Sequence, residues 1–226
     1  MTIFEVTPSW QAAFPGAHVG VLALSGVTNP PLHAVLEAEK EALVAGLRER
    51  FAGQQRADLL ALPVLRAYDQ YYARFKKTYH VQLQLESILF KGKSLPSVAA
   101  LVEAMFMAEI KNQLLTAGHD LDLVKLPARL EVSRGGETYT VMRGSPQELK
   151  PEDMYIADRE GILSSIIYGP DQRSALRAGT TRALFTVYAP AGVDPAAVDS
   201  HLGDIDGYVR IFAPGAQVEL RRVFGE

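Results

Sequence analysis

Residues 107 to 120 read MAEIKNQLLTAGHD, and they set Glu109, Asn112, Thr116, His119 and Asp120 at the end of a long apolar run. On a helix advancing about 100° per residue, Leu101, Val102, Met105, Glu109, Asn112 and Thr116 share roughly one third of the circumference. Three polar side chains then lie on the apolar stripe itself. Unpaired buried carboxylates and amides cost a few kcal/mol, so these groups need partners, water or a ligand. Glu109 has the chemistry of a general base or of a group that orients water, because an apolar pocket raises a carboxyl pKa towards neutrality. Paired with Lys111, Lys125 or an arginine, it is structural instead. Asn112 and Thr116 can donate to an ester carbonyl, or satisfy loop backbone at the helix end. His119 can hold or shuttle a proton, or sit in a loop and donate to a carbonyl. Asp120 either orients that imidazole or caps a turn.

A second cluster is YGPDQRSALRAGTTR, residues 168 to 182. Gly-Pro-Asp makes a tight turn after a strand, so Tyr168, Asp171 and Arg173 belong to a sheet rim where loops commonly build sites. Arg173 offers a planar fork for phosphate or ribose, or an ion pair with Asp171 that fixes the loop. Thr180 and Thr181 can hydrogen-bond a ligand or simply begin a strand. Between Arg66 and Lys93, the cations Arg66, Arg74, Lys76, Lys77, Lys91 and Lys93 stand against only Asp69 and Glu86. Tyr68, Tyr71, Tyr72, Phe75 and Tyr79 are interleaved with them. Bases stack on aromatic faces while cations neutralise phosphates, which makes Arg74, Lys76, Lys77, Lys91 and Lys93 the RNA-facing candidates. The alternative is an amphipathic helix whose aromatics face the core.

The elements that must position these groups change character along the chain. HVGVLALSGV (18 to 27) reads as a buried strand, and Asn29-Pro30-Pro31 as the start signal of a helix over 29 to 51. Two shorter helices are expected over 62 to 77 and 81 to 90, and a long one over 95 to 115, stopped near Gly118. Beyond it, ARLEVS, ETYTVM, MYIADREGILSSIIYG and TRALFTVYA are short strands split by Gly, Pro and Asp. A short helix capped by Asp194 with Pro195 at its first position follows, then a last strand in AQVELRRVF. Helices gather in the first half and strands in the second, so the expected fold is α+β: a single domain over 1 to 226, with helices packed on a mixed β-sheet.

Composition narrows the function classes. The 226 residues are 48% hydrophobic, enough for a sizeable core. A net charge of -3 argues against coating nucleic acid or anionic membrane by bulk charge, so any such contact is local. There is no cysteine, which removes disulfides, thiolate metal sites and a cysteine nucleophile, and fits a cytoplasmic protein. The apolar stretch from Leu95 to Met107 is too short to span a bilayer and contains Glu103, and the N-terminus shows no signal peptide. No P-loop, G-x-G-x-x-G, H-E-x-x-H or G-x-S-x-G motif is present. His18, His33, His80, His119 and His201 lack zinc-site spacing, so neither metal nor cofactor is expected.

From Leu65 to Gly192, LRAYDQYYARF, ILFKGKSLPSVAALVEAMFMAE, TAGHDLD, ELKPEDMYIADREG, YGPDQRSAL and TTRALFTVYAPAG follow one another in a familiar order. In that order the chain resembles the tRNA-editing domain of the phenylalanyl-tRNA synthetase β subunit in free-standing form, with an editing-domain-like core over about 65 to 192. The resemblance implies a pocket between helices and a mixed sheet, a tRNA or aminoacyl-tRNA 3′ end as partner, and hydrolysis of wrongly attached amino acids. No aminoacylation domain or class II synthetase motif is evident. The synthetase has a Thr-Asn pair in its long helix, whose nearest counterparts here are Ala104 and Met105, and its histidine lies close to His119. Two readings follow. One is an ester hydrolase in which Glu109 or His119 assists a water and Asn112, Thr116 or loop backbone holds the oxyanion. The other is a module that binds RNA, a small ligand or a protein without chemistry.

Overall fold

The computed structural model describes residues 2–225. Its helices are α1 (Pro8–Ala13), α2 (Ala34–Arg50), α3 (Arg56–Leu60), α4 (Pro63–Ala73), α5 (His80–Lys91), α6 (Ala100–Asn112) and α7 (Pro195–Phe212). The strands are β1 (Phe4–Val6), β2 (His18–Ser25), β3 (Leu115–Asp120), β4 (Ala128–Val132), β5 (Thr138–Thr140), β6 (Pro146–Glu148), β7 (Met154–Ala157), β8 (Ile162–Ser165), β9 (Gly169–Pro170), β10 (Arg182–Ala189) and β11 (Gln217–Phe224). The fold is α+β, as the distribution of signals implies. An antiparallel sheet runs in the order β11-β2-β10-β3. A mixed sheet runs β1-β4-β7-β8-β9, with only β1 parallel to its neighbour. One continuous core, from Trp10 and Leu22 through Tyr68 and Ile110 to Val209, joins both sheets to the helices.

The antiparallel sheet is the frame on which the site rests. Six of the eight residues of β2 and seven of the eight of β10 are buried, because both strands are covered on both faces, and apart from Thr186 their buried positions carry apolar residues or glycine. Helix α7 lies directly on β2, where a Cβ at Gly20 would stand 2.6 Å from Val198 Cγ1. Only glycine permits that approach. Asp194 caps α7 by accepting from the Ala196 N–H at 2.8 Å, with Pro195 at the first position as expected. The helix is longer than the short one its local sequence suggests.

The long helix expected over 95 to 115 is shorter at both ends. Glu103 draws its carboxylate back to the Val98 N–H at 2.6 Å, and the segment before Ala100 stays a loop. At the other end Gln113 adopts a left-handed conformation (φ 58°) and the chain turns into β3. The cause is tertiary. Tyr79 donates to the Gln113 carbonyl at 3.0 Å, and the Leu115 N–H donates to the Tyr68 hydroxyl at 2.9 Å. These bonds and pairing with β10 outweigh the helix propensity of the segment. Thr116 and His119 are therefore strand residues, and the helical stripe assigned to Thr116 is corrected.

Asn29 also differs from its expected role. Helix α2 starts at Ala34 with His33 as its cap. The Asn29 amide instead donates to the Arg177 carbonyl at 3.1 Å and accepts from the Leu101 N–H at 2.9 Å. It ties the start of α6 to the 168 to 182 loop.

Candidate functional site

A cavity of about 320 Å³ lies between α5, α6, the outer edge of β3 and the 168 to 182 loop. Val102, Met105, Phe106 and Glu109 of α6 form one wall, at the i, i+3, i+4, i+7 spacing of a helix face. Leu115 to Gly118 of β3, Leu176, Pro170 and the exposed Met142 supply further walls. Gln84, His80, Ser165 and Tyr188 bring polar atoms to an otherwise apolar enclosure. The cavity brings Glu109 and Thr116 beside Gly169, Pro170, Ala175 and Leu176 of the 168 to 182 loop, but Tyr168, Asp171, Arg173, Thr180 and Thr181 do not line it. Asn112 is not part of its wall.

Glu109 is buried, and its one hydrogen-bond partner among the described residues is the Thr116 N–H, at 2.8 Å to Oε1. No cation among the described residues pairs with it, so neither Lys111 nor Lys125 plays the structural role open to them. Burial pushes its carboxyl up to about 8, against the pull of the Thr116 N–H. A carboxyl with that pKa is mostly protonated at neutral pH and becomes a base slightly above it.

Asn112 turns away from the cavity towards α7, where it donates to Asp204 at 2.8 Å and meets His201 Nδ1 at 3.2 Å. His201 Nε2 meets the Thr116 hydroxyl at 2.7 Å. With Nδ1 accepting from the amide, Nε2 carries the proton and the hydroxyl accepts it. Burial lowers His201 to about 3, which keeps it neutral. Asn112 and the Thr116 hydroxyl therefore lock α6, α7 and β3 together and do not donate into the cavity. His201 was not singled out from the sequence, although its place on the stripe Val198, His201, Leu202, Ile205 marks it as an inward-facing polar group.

His119 lies behind the wall. Ser174 donates to Asp171 Oδ1, so its hydroxyl oxygen accepts from His119 Nδ1–H at 2.7 Å. Burial first, then the charge of Arg173, lowers the imidazole to about 4, and its Nε2 is buried with no partner among the described residues. Of the two roles open to Asp120, orienting this imidazole or capping a turn, it takes the second. Asp120 accepts from Arg177 at 2.9 Å, from Thr180 at 3.0 Å and from the Asp122 N–H at 3.2 Å. It fixes a turn, and Ser174 with Asp171 does the orienting. Ser174 was missed, but its spacing three residues after Asp171 is that of an aspartate-initiated turn.

The rest of the second cluster holds the loop. Arg173 grips Asp158 through both terminal nitrogens at 2.9 and 3.0 Å, donates to the Leu123 carbonyl at 3.0 Å and lies 3.7 Å from Asp171. Its fork is already filled. Thr181 donates to Asp122 at 3.2 Å, away from the cavity.

The five aromatics of the basic stretch are core residues. Tyr68, Tyr71, Tyr72, Phe75 and Tyr79 are buried, so none is a stacking platform for bases. Arg74 pairs with Glu152 and lies over the rings of Tyr71 and Phe14. Lys76, Lys91 and Lys93 are exposed. Lys77 differs from them in lying 5.2 Å above the half-buried ring of Tyr168. The two line a second hollow of about 330 Å³ with Arg143 and Gln147. Met142 and Pro170 stand in the walls of both hollows, so a more polar space adjoins the apolar one. Arg143 carries no motif, and only the hairpin that folds it over reveals it.

No family model and no curated protein matches the sequence. An N-terminal fragment of the phenylalanyl-tRNA synthetase β subunit from Pyrococcus horikoshii is similar in structure over 100% of this chain, with a TM-score of 0.50 and 10% identity. The likeness is one of fold. The chain spans 54% of that fragment. No helix among the described residues is long and apolar enough to cross a membrane, and no group of acidic or histidine side chains there could hold a metal ion.

Proposed function

We propose that the protein binds the aminoacyl 3′ end of a tRNA and hydrolyses its ester. The observation that carries this reading is an apolar cavity of about 320 Å³ that holds a single carboxyl, with no counter-cation among the described residues and a pKa displaced to about 8. The similarity in fold to the synthetase fragment supports the choice of substrate class. The acyl group enters the cavity, and the terminal nucleoside lies in the adjoining hollow against Tyr168, Lys77 and Arg143.

In the reaction, a water oxygen bonds to the acyl carbon as Glu109, in its ionised form, takes the proton. The bond from that carbon to the ribose oxygen then breaks, and the proton passes to the departing ribose hydroxyl. His119 acts as a positioning residue through Ser174 and the 168 to 182 loop. A binding module without chemistry is the second reading, favoured by Ala104 and Met105 where the editing domain has a polar pair.

A deacylation assay over a panel of mischarged tRNAs decides between them. Release of the amino acid from at least one tRNA, slowed by about 10²- to 10⁴-fold in Glu109→Gln, is the expected result. Binding of tRNA with every ester left intact removes the hydrolase and leaves the binding module.

A further inference from the structure

Strand β3 is the outer strand of its sheet, so one edge pairs with β10 and the other borders the cavity. In an antiparallel pair, alternate residues turn both N–H and C=O towards the neighbour and the residues between turn both away. The Thr116 N–H donates to Glu109, and the Asp120 N–H donates to the Ser174 carbonyl at 2.7 Å. Both face outward, so Gly118 between them does too. Among the described residues, nothing outside the sheet donates to the Thr116 or Gly118 carbonyl or accepts from the Gly118 N–H. Enclosed backbone groups are nearly always paired in folded proteins, so this open stretch asks for an occupant.

Its length says what kind. Thr116 N–H and Asp120 N–H close the stretch at either end and leave one N–H between two carbonyls. A residue added in parallel takes the Thr116 carbonyl and the Gly118 N–H, and one added antiparallel takes both groups of Gly118. The capacity is one residue, not a peptide strand. We propose that the β3 edge at Thr116 and Gly118 is the recognition element for a single α-amino acyl unit. The acyl carbonyl accepts from the Gly118 N–H, and the amino group donates to the Thr116 or Gly118 carbonyl. This assignment rests on the aminoacyl reading of the cavity and adds the groups that read it.

Glycine at 118 is what brings edge and walls together. A Cβ there would stand 2.9 Å from Leu176 Cδ1 and 3.3 Å from Met105 Sδ. During hydrolysis the same N–H holds the carbonyl oxygen as it becomes an oxyanion, a role for which Asn112 and the Thr116 hydroxyl are not available.

The test follows the backbone amide resonances of the full ¹⁵N-labelled chain during titration with phenylalaninamide and with 3-phenylpropionamide, which lacks the α-amino group. The expected result is a saturable downfield shift of the Gly118 amide with phenylalaninamide. The amine-free probe should bind about 10- to 100-fold more weakly, the effect of losing one charge-assisted hydrogen bond. Shifts at Ala117 and Leu176 with a stationary Gly118, or equal affinity for the two probes, overturn the assignment and leave the aminoacyl reading standing. No shift anywhere around the cavity overturns both. A third titration, with adenosine carrying phenylalanine in amide linkage at the 3′ position, identifies the source. Tighter binding than phenylalaninamide supports an acyl group borne on RNA, and equal binding overturns that source in favour of a free amino-acid derivative.

Discussion

Glu109 makes opposite demands on stability and on chemistry. Its carboxyl titrates near 4.5 when the chain is unfolded and near 8 when buried. The folded state therefore holds a proton that the unfolded state releases. The stability this contributes is complete below pH 4.5 and is lost as pH rises to about 8, at up to about 1.4 kcal/mol per unit. Glu109→Gln, which keeps the shape and never ionises, should melt progressively higher than the wild type from pH 5 to pH 8. Thermal melts across that range check this, and a pH-independent difference would mean that the carboxyl is not the titrating group. In the same window hydrolysis by the wild type should increase with pH and level off near 8, while the Gln variant should be slower by about 10²- to 10⁴-fold. His119 and His201 set the acid side. Burial lowers both, to about 4 and about 3. Neutral in the fold and protonated in the unfolded chain, they contribute stability that is present above pH 6.5 and lost as pH falls through 4. His119→Asn and His201→Asn, each melted beside the wild type, should lose less stability than it does between pH 6.5 and pH 4, and a pH-independent difference would contradict that burial.

Among the elements, the hairpin β5–β6 and the start of β9 carry the RNA contact in the proposed reading, because they bring Arg143 and Tyr168 to Lys77 beside the cavity mouth. Replacing Lys77 and Arg143 with Ala should weaken tRNA binding and flatten its dependence on salt, since fewer counterions are released. Lys76, Lys91 and Lys93 have no such enclosure, and their replacement should cost less. A salt titration of tRNA affinity for the two variant sets separates the cases, and a larger effect at Lys91 and Lys93 would move the RNA path onto α5. The difference between these lysines was not legible in the sequence, where all lie within one charged and aromatic stretch. What the sequence did carry was local. The apolar spacing of Val102, Met105 and Glu109 places them on one face, and Asp194-Pro195 starts α7. The end of α6 was hidden because Tyr68 and Tyr79, far upstream, decide where the helix stops. Likewise the partners of Asp120 come from Arg177 and Thr180, over fifty residues away in the chain.

At the scale of the whole molecule, the order of strands decides what can stand alone. The editing-domain-like core expected from the sequence runs over about 65 to 192, and that interval contains the cavity walls. It lacks β2, which lies between β11 and β10 at the centre of the antiparallel sheet. Strand β10 pairs with β2 along its full length, from Arg182 opposite Ser25 to Ala189 opposite His18. Without β2, that hydrogen-bonding edge is unpaired, and Leu184, Phe185 and Val187 lose much of the core that keeps them fully buried. The interval also lacks α7, and with it His201, which fixes Thr116 and through it the backbone that holds Glu109. Each fully buried aliphatic or aromatic side chain returned to water costs about 1.5–3 kcal/mol, so a few such losses equal the whole stability of an ordinary domain. Residues 65–192 expressed alone should aggregate or show no cooperative melt, whereas the 226-residue chain should melt in one transition. Calorimetry of both decides it, and a cooperative transition in the excised segment would show that the sheet tolerates loss of its central strand and that the site needs no part of α7.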